Sequence, residues 1–154
     1  MKKILLSLFT IILAITSFAQ PKDPVIWKYE AVKKSGNNYD VVITATIPKP
    51  WHLYSQNTAK GGPIPTKITI NSNPLISVSA GKAKEIGHQE KVLDKNFSPK
   101  GVEVLFYSEQ VQFVQSISLK GAVKTNITGT VEFMVCDDSQ CLPPTKKSFD
   151  IKLQ

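Results

Sequence analysis

The 154-residue sequence contains no arginine, so all nineteen of its basic residues are lysines. Surfaces that bind nucleic acids usually cluster arginine and lysine beside aromatic residues, whereas the lysines here are scattered along the chain. The formal net charge of +7 therefore indicates a solvated, lysine-rich surface rather than a nucleic-acid interface. An acidic partner or an anionic membrane surface remains compatible with this charge.

Metal ligands and catalytic motifs are also scarce, since the chain has only two cysteines and two histidines. Two cysteines cannot build a structural zinc site alone, and adding His52 and His88 gives a spacing unlike that of zinc fingers. The Gly-x-Ser-x-Gly motif of serine hydrolases and the glycine-rich loops that bind phosphate are both missing. We therefore expect no metal and no cofactor. A cysteine nucleophile activated by histidine is conceivable, but paired cysteines in an oxidising compartment are more often bridged.

The N-terminus has the pattern of a secretory signal peptide. Lys2-Lys3 precedes an apolar run from Ile4 to Ile15, and Ser17-Phe18-Ala19 supplies small residues before a cleavage site. We expect cleavage after Ala19, so that residues 1–19 are the signal peptide and residues 20–154 form one mature domain. The apolar run is short for a membrane span, and no cysteine follows it to carry a lipid anchor. The mature chain is thus expected to be exported, without stable membrane insertion, to a compartment that permits disulfides.

Short runs of alternating apolar and polar residues predict an all-β fold. The clearest run is Tyr39–Ile47, in which every odd-numbered position is apolar or aromatic. Residues 82–100 are mostly polar, and a connection of this length inside a β domain is often functional. Other strands are predicted at 25–32, 66–70, 75–79, 102–107, 111–119, 127–135 and 148–153. Strands about ten residues apart, with no helical pattern after the signal, indicate an antiparallel β-sandwich.

Cys136 and Cys141 lie between the last two predicted strands, at the mouth of a hairpin where cross-strand residues approach closely enough for a disulfide. Such a bridge closes a very small loop, so it should stabilise the fold less than a long-range bridge would. Asp137 and Asp138 disfavour a thiolate on an adjacent cysteine. The oxidised pair is therefore better suited to be attacked by a partner's thiolate than to attack. From spacing alone, a structural staple and a binding module remain open.

The segment around these cysteines resembles the N-terminal domain of the thiol:disulfide interchange protein DsbD. In that family a strand ends in a cysteine, and a short polar loop then leads to Cys-x-Pro-Pro and a return strand. Here the matching residues are Cys136, residues 137–140 and Cys141-Leu142-Pro143-Pro144. Trp51-His52-Leu53-Tyr54 resembles the family's aromatic strand beside the disulfide. Asp94-Lys95-Asn96-Phe97 resembles its cap loop, which folds an aromatic ring over the cysteines.

The resemblance, which covers residues from about 25 to 153, implies an immunoglobulin-like fold in the periplasm. It also implies a domain that relays reducing equivalents from a thioredoxin-like domain to disulfide isomerases or cytochrome c maturation proteins. Cys136 and Cys141 would be the redox pair, with Cys141 forming the mixed disulfide. Phe97 would be the cap, Tyr54 a nearby support and Asp94 an acidic neighbour. From the residues alone, Trp51 and Tyr54 could instead cap the core, although the Tyr54 hydroxyl would need a hydrogen-bond partner there.

The sequence departs from this family in three respects. The loop between the cysteines is one residue shorter than in well-known members, and His52 stands where those members have a tyrosine. The membrane domain and thioredoxin-like domain of the full protein are not found in this sequence. Thioredoxin-like periplasmic proteins or a separate membrane electron-transfer protein would then be the partners. The alternative is a non-enzymatic interaction module that keeps a structural disulfide.

Overall fold

A computed structural model describes residues 23–95 and 97–153. The predicted signal peptide lies outside these residues. The described residues form twelve strands: β1 (Ile26–Lys33), β2 (Asn38–Thr46), β3 (His52–Tyr54), β4 (Lys67–Ile70), β5 (Ile76–Val78), β6 (Lys84–Gly87), β7 (Glu90–Asp94), β8 (Val102–Tyr107), β9 (Gln110–Leu119), β10 (Thr125–Phe133), β11 (Val135–Cys136) and β12 (Thr145–Leu153). None of the described residues belongs to a helix that is long and apolar enough to cross a membrane.

The strands form three antiparallel sheets. The first has the order β1-β2-β9-β5, with β6 also paired to β9. The second has the order β12-β10-β4, and the third has the order β11-β3-β8-β7. Consecutive strands β1 and β2 pair along their full length, from Ile26 opposite Thr46 to Lys33 opposite Tyr39.

The main core lies between the first two sheets. Side chains from β2 and β9, including Ile43 and Phe113, share one buried cluster with Ile127, Phe133 and others from β10 and β12. Aromatic contacts connect the sheets, with the rings of Trp27 and Phe133 4.9 Å apart. Each fully buried side chain of this size contributes roughly 1.5–3 kcal/mol relative to exposure. Two sheets packed over a common apolar core confirm the predicted antiparallel β-sandwich.

The centre of β10 requires glycine. Gly129 pairs with both Ile70 of β4 and Phe149 of β12. A Cβ atom at this position would lie 2.3 Å from the carbonyl oxygen of Thr69 and 2.4 Å from the Phe149 ring. Glycine therefore allows the Phe149 ring to pack directly over the β10 backbone, where any side chain would collide.

The prediction of one long connection over residues 82–100 is wrong, because β6 and β7 lie within it. Both strands carry mostly exposed side chains, and the apolar residues Ile86, Val92 and Leu93 are 47%, 47% and 60% exposed. These strands follow no clear alternation, because their pairing with β9 and β8 does not bury a complete face. The remaining connection runs from residue 95 to residue 101.

The predicted strand over residues 127–135 divides at Met134. β10 ends at Phe133, where it pairs with Thr145 of β12. β11 then leaves this sheet and pairs with β3, with Val135 opposite Leu53 and Cys136 opposite His52. The chain thus changes sheets at Met134, two residues before Cys136, and this change places Cys136 in the third sheet.

Candidate disulfide site

Cys136 and Cys141 form a disulfide bond, with their sulfurs 1.97 Å apart and their Cα atoms 4.0 Å apart. We call residues 136–141 the cysteine loop. It projects beyond the last residue pair of the β10–β12 hairpin, which is Phe133 with Thr145. The predicted position at a hairpin mouth is therefore correct.

The two cysteines differ sharply in accessibility. Cys136 is 4% exposed and packs in a small apolar cluster with Tyr54 and Val104, flanked by Phe106 and Met134. Cys141 is exposed. The bridge predicted to be exposed thus joins one exposed cysteine to one buried cysteine. A nucleophile approaching from solvent can reach Cys141 much more readily than Cys136.

Asp137 organises the cysteine loop through hydrogen bonds. Its Oδ1 accepts bonds of 2.8 Å each from the Ser139 backbone N–H, the Ser139 hydroxyl and the Gln140 backbone N–H. The Asp137 N–H in turn donates to the Gln140 carbonyl at 2.9 Å. These bonds, led by that from the Ser139 backbone, lower the pKa of Asp137 to about 2. The carboxylate therefore fixes the turn between the cysteines, as aspartate commonly does.

Tyr54 lies beneath the disulfide, where it is 5% exposed. Burial, and secondarily the nearby charge of Asp94, raises the pKa of Tyr54 to about 12. Its phenol is therefore neutral at physiological pH. Trp51 is also buried, in the main core, so that the core interpretation of this residue is confirmed.

A groove of about 500 Å³ runs beside the cysteine loop. Its walls bring together Tyr54 and Asp94 with Asp137 and Asp138 of the loop. Asp94 ends β7 and faces this groove, so two of the residues singled out by the family resemblance lie near the cysteines. Phe97 is partly exposed in the connection between β7 and β8, and its role as a cap stays a prediction.

His52 also lines this groove, although the sequence indicated no role for it in disulfide exchange. Its Nδ1 lies 3.3 Å from the Ser108 hydroxyl, which donates a short hydrogen bond to Glu90 Oε1. Its Nε2 lies 3.5 Å from Asp138 Oδ1. The imidazole also packs on the Phe106 ring, with centroids 4.9 Å apart. The sequence signal for this residue was its spacing of two from Tyr54, which places both on one face of a strand.

Sequence reasoning also missed Glu85 of β6, which holds the chain just after β3. Its carboxylate accepts hydrogen bonds from the Ser55 hydroxyl and the Gln56 backbone N–H, both at 2.7 Å. It accepts further bonds from the Tyr107 hydroxyl and the side-chain amides of Gln56 and Gln89. Because β3 carries His52 and Tyr54, this network anchors the strand on which the disulfide rests.

Within residues 23–95 and 97–153, no group of three or more histidine, cysteine or acidic side chains is arranged to hold a metal ion. His88 is exposed between β6 and β7, and both cysteines are bonded to each other. The chemistry that this arrangement can support directly is cleavage of a half-buried disulfide.

Comparison with known proteins agrees with this chemistry. Residues 19–153 match the family described as thiol:disulfide interchange protein DsbD, N-terminal. The N-terminal periplasmic domain of ScsB from Proteus mirabilis is 19% identical with a TM-score of 0.54, and the match covers 84% of this chain and 46% of that one. No curated protein matches the sequence.

Two structures from Neisseria meningitidis are also similar. The reduced DsbD N-terminal domain is 18% identical with a TM-score of 0.50, and the match covers 87% of this chain and 89% of that one. A structure of the complex between the DsbD and PilB N-terminal domains gives 14% identity, a TM-score of 0.54 and 88% coverage of both chains. These similarities show the immunoglobulin-like fold that the family resemblance implied.

Proposed function

Because the chain belongs to the family of DsbD N-terminal domains, we propose that it exchanges its Cys136–Cys141 disulfide with thioredoxin-like proteins and so relays reducing equivalents between them. The observation that carries this proposal is the unequal exposure of the two cysteines. A purely structural staple needs no accessible sulfur, whereas an exchange site needs one sulfur to be attacked and one to leave. Cys141 is exposed and Cys136 is 4% exposed, which meets both needs.

The reaction proceeds in two displacements. A partner thiolate attacks the Cys141 sulfur, a mixed disulfide forms between them, and the Cys136 sulfur departs with the electron pair of the broken bond. A second thiolate of the partner then attacks the partner's own sulfur in the mixed disulfide and releases Cys141 as a thiolate. The partner dithiol is oxidised to a disulfide, and the Cys136–Cys141 pair is reduced to two thiols after both sulfurs gain protons. Reaction with the next acceptor reverses these steps.

Neighbouring side chains have supporting roles in this proposal. Tyr54 packs with Cys136 and remains uncharged, so it provides an apolar support with a polar hydroxyl. Asp94, which faces the groove beside the cysteine loop, is the acidic neighbour. Phe97 follows in the adjacent connection and restricts access to the bridge. Leu142 and the two prolines after Cys141 form a stiff, partly apolar surface on which a partner docks.

We place the protein in the periplasm, after removal of residues 1–19. The ScsB structure in the comparison is described as a periplasmic domain, and disulfides persist in that compartment. Its exchange partners are thioredoxin-like periplasmic proteins or a separate membrane electron-transfer protein. Among them, disulfide isomerases and cytochrome c maturation proteins would accept the electrons.

The midpoint potential of the Cys136–Cys141 couple tests this proposal. Equilibration of the purified protein with glutathione buffers, followed by alkylation and mass analysis, measures it. An exchange couple should have a midpoint near about −200 mV, whereas a structural bridge should lie below about −300 mV. A value in the lower range would replace the relay with the alternative, an interaction module that keeps a structural disulfide.

A further inference from the structure

His52 lies directly across a strand pair from the buried cysteine. β3 and β11 are antiparallel, with Cys136 opposite His52. Opposite residues in such a pair place their Cβ atoms about 4.5–5.5 Å apart on one face of the sheet. Tyr54 lies two residues along β3, shares that face, and packs against Cys136. The strand register thus places His52 opposite Cys136, the cysteine whose sulfur departs in the proposed exchange.

The hydrogen-bond partners of His52 suit a ring that carries two protons. The Ser108 hydroxyl donates its hydrogen to Glu90, so its oxygen is left to accept from His52 Nδ1 at 3.3 Å. The other ring nitrogen, Nε2, faces a carboxylate oxygen of Asp138 at 3.5 Å. A neutral imidazole can donate from only one nitrogen, whereas an imidazolium donates from both. Both partners are satisfied together only when the ring is charged.

The charged groups around His52 are mostly acidic. On β7, Glu90 accepts a hydrogen bond from Ser108, which contacts His52, and Asp94 faces the same groove. The cysteine loop contributes two carboxylates, one of which is engaged with its own turn. β8 contributes the Phe106 ring and the Ser108 hydroxyl, and Tyr54 on the same strand as His52 is neutral. The charged groups facing the groove are Asp94, Lys95, Asp137 and Asp138. Acidic groups therefore outnumber basic ones along this groove.

We propose that His52 donates a proton to the Cys136 sulfur when a partner thiolate breaks the disulfide, a role that rests on the exchange function proposed above. The partner sulfur bonds to Cys141, the Cys136–Cys141 bond breaks, and Cys136 leaves with the electron pair. His52 keeps its Nδ1 contact with Ser108 and gives the Nε2 proton, released from its 3.5 Å contact with Asp138, to that sulfur, which leaves a neutral imidazole and a neutral thiol. The His52 side chain is 26% exposed, so the ring regains a proton from solvent before the next cycle.

This role predicts a second pH dependence of the exchange rate, separate from the ionisation of the attacking thiol. Histidine gains its proton between about pH 8 and pH 5. A charged donor stabilises the departing sulfur, and thiol–disulfide exchange is faster when the departing thiolate is more stable. We measure the rate at which dithiothreitol reduces the oxidised protein and divide it by the dithiothreitol thiolate concentration at each pH. The normalised rate of the wild type should rise roughly three- to tenfold as the pH falls from 8 to 5.

The variants separate proton donation from packing. His52→Gln keeps hydrogen-bonding capacity without titrating in this range, and His52→Tyr introduces the residue found in well-known family members. Both should show a flat normalised rate, whereas His88→Gln, which alters the other histidine, should keep the wild-type rise. In a Cys141→Ala background, His52→Gln should also move the formation of the Cys136 thiolate, followed by absorbance at 240 nm, to higher pH. Circular dichroism establishes that each variant is folded.

Two results would overturn the role of His52: a wild-type profile that is flat, or a His52→Gln profile that keeps the rise. Neither result depends on a protein partner, so either could occur while the exchange function itself stands. Failure of thioredoxin-like proteins to react, with the rise retained in dithiothreitol, would instead remove the relay and keep the proton donor. A bridge that dithiothreitol cannot reduce would remove both.

Discussion

The hydroxyl of Tyr107 on β8 donates a hydrogen bond of 2.9 Å to the carboxylate of Glu85 on β6. These strands belong to different sheets, so the bond joins the first sheet to the third. Burial, followed by the hydrogen bond to Glu85, raises the pKa of Tyr107. The phenol is consequently held as a donor, and the carboxylate remains the acceptor on which the segment after β3 depends.

Replacement of Glu85 should therefore destabilise the fold more than replacement of a surface carboxylate. Glu85→Ala leaves several donors without their acceptor, and we expect a loss of about 2 kcal/mol in the free energy of unfolding. Glu85→Gln keeps one acceptor oxygen and should lose less. Glu103→Ala is the matched control, because Glu103 pairs with Lys91 at the surface and should change stability by less than about 1 kcal/mol. Urea unfolding measures all three, and equal losses for Glu85→Ala and Glu103→Ala would contradict this role.

Single-cysteine variants should differ in their capture of a partner. Cys136→Ala leaves the exposed thiol of Cys141, which should form a stable mixed disulfide with a thioredoxin-like protein whose second active-site cysteine is replaced. Cys141→Ala leaves only a buried thiol and should capture little. Non-reducing gels of both variants give the answer. Equal capture by the two would remove the assignment of Cys141, and capture by neither would favour a structural staple.

Phe97→Ala should speed reduction of the bridge by dithiothreitol if the ring restricts access to it. Phe97 is partly exposed, so its loss should change stability only modestly. Leu75→Ala is a suitable control, since Leu75 is a 39% exposed apolar residue that precedes β5 in the first sheet. It should leave the rate unchanged. A wild-type rate in Phe97→Ala would show that Phe97 does not cover the bridge.

The conformation of the cysteine loop should depend on acid through Asp137. The pKa of this carboxyl is lowered from 3.8 to about 2 by the hydrogen bonds from Ser139 and Gln140. The stabilisation they provide is therefore fully present above about pH 4 and is lost as the pH falls through about 2. The amide resonances of Ser139 and Gln140 should shift with a midpoint near this lower value.

Substitutions distinguish this turn from a general effect of charge. Asp137→Ala should accelerate amide hydrogen exchange at Ser139 and Gln140 at neutral pH, because their acceptor is gone. Asp137→Asn keeps an acceptor oxygen and should accelerate it less. Asp138→Asn alters the neighbouring carboxylate, which does not accept these bonds, and should leave the exchange unchanged. Identical exchange in Asp137→Ala and the wild type would show that the turn forms without the carboxylate.

The strands that could be predicted from sequence are those that bury one face. In β10, alternate residues such as Ile127, Val131 and Phe133 enter the core, and this leaves a pattern of period two. β6 and β7 were missed because their apolar residues are exposed and do not alternate with polar ones. The switch at Met134 was missed because an apolar residue continues the strand pattern while the backbone changes sheets.

The parts of the candidate site that could be predicted are those whose residues lie close together in the sequence or match the family's motif. The two cysteines of the disulfide are five residues apart, so their spacing predicted the bond. Tyr54 and Asp94 came from the family resemblance. The contact between His52 and Ser108 spans 56 residues, and the one between His52 and Asp138 spans 86. Only the folded arrangement of β3, β8 and the cysteine loop brings these groups together.

The hairpin of β10 and β12 closes at Phe133 and Thr145, which lie outside the ring formed by the disulfide. Opening that ring releases only the short segment from Cys136 to Cys141, while the hydrogen-bonded ladder behind it is untouched. In the proposed exchange, the pair of sulfurs therefore gains and loses two electrons while the β10–β12 pairing from Thr125 to Phe133 stays in place. The reduction potential of the Cys136–Cys141 couple should then depend on the groups around the two sulfurs and not on refolding of the domain.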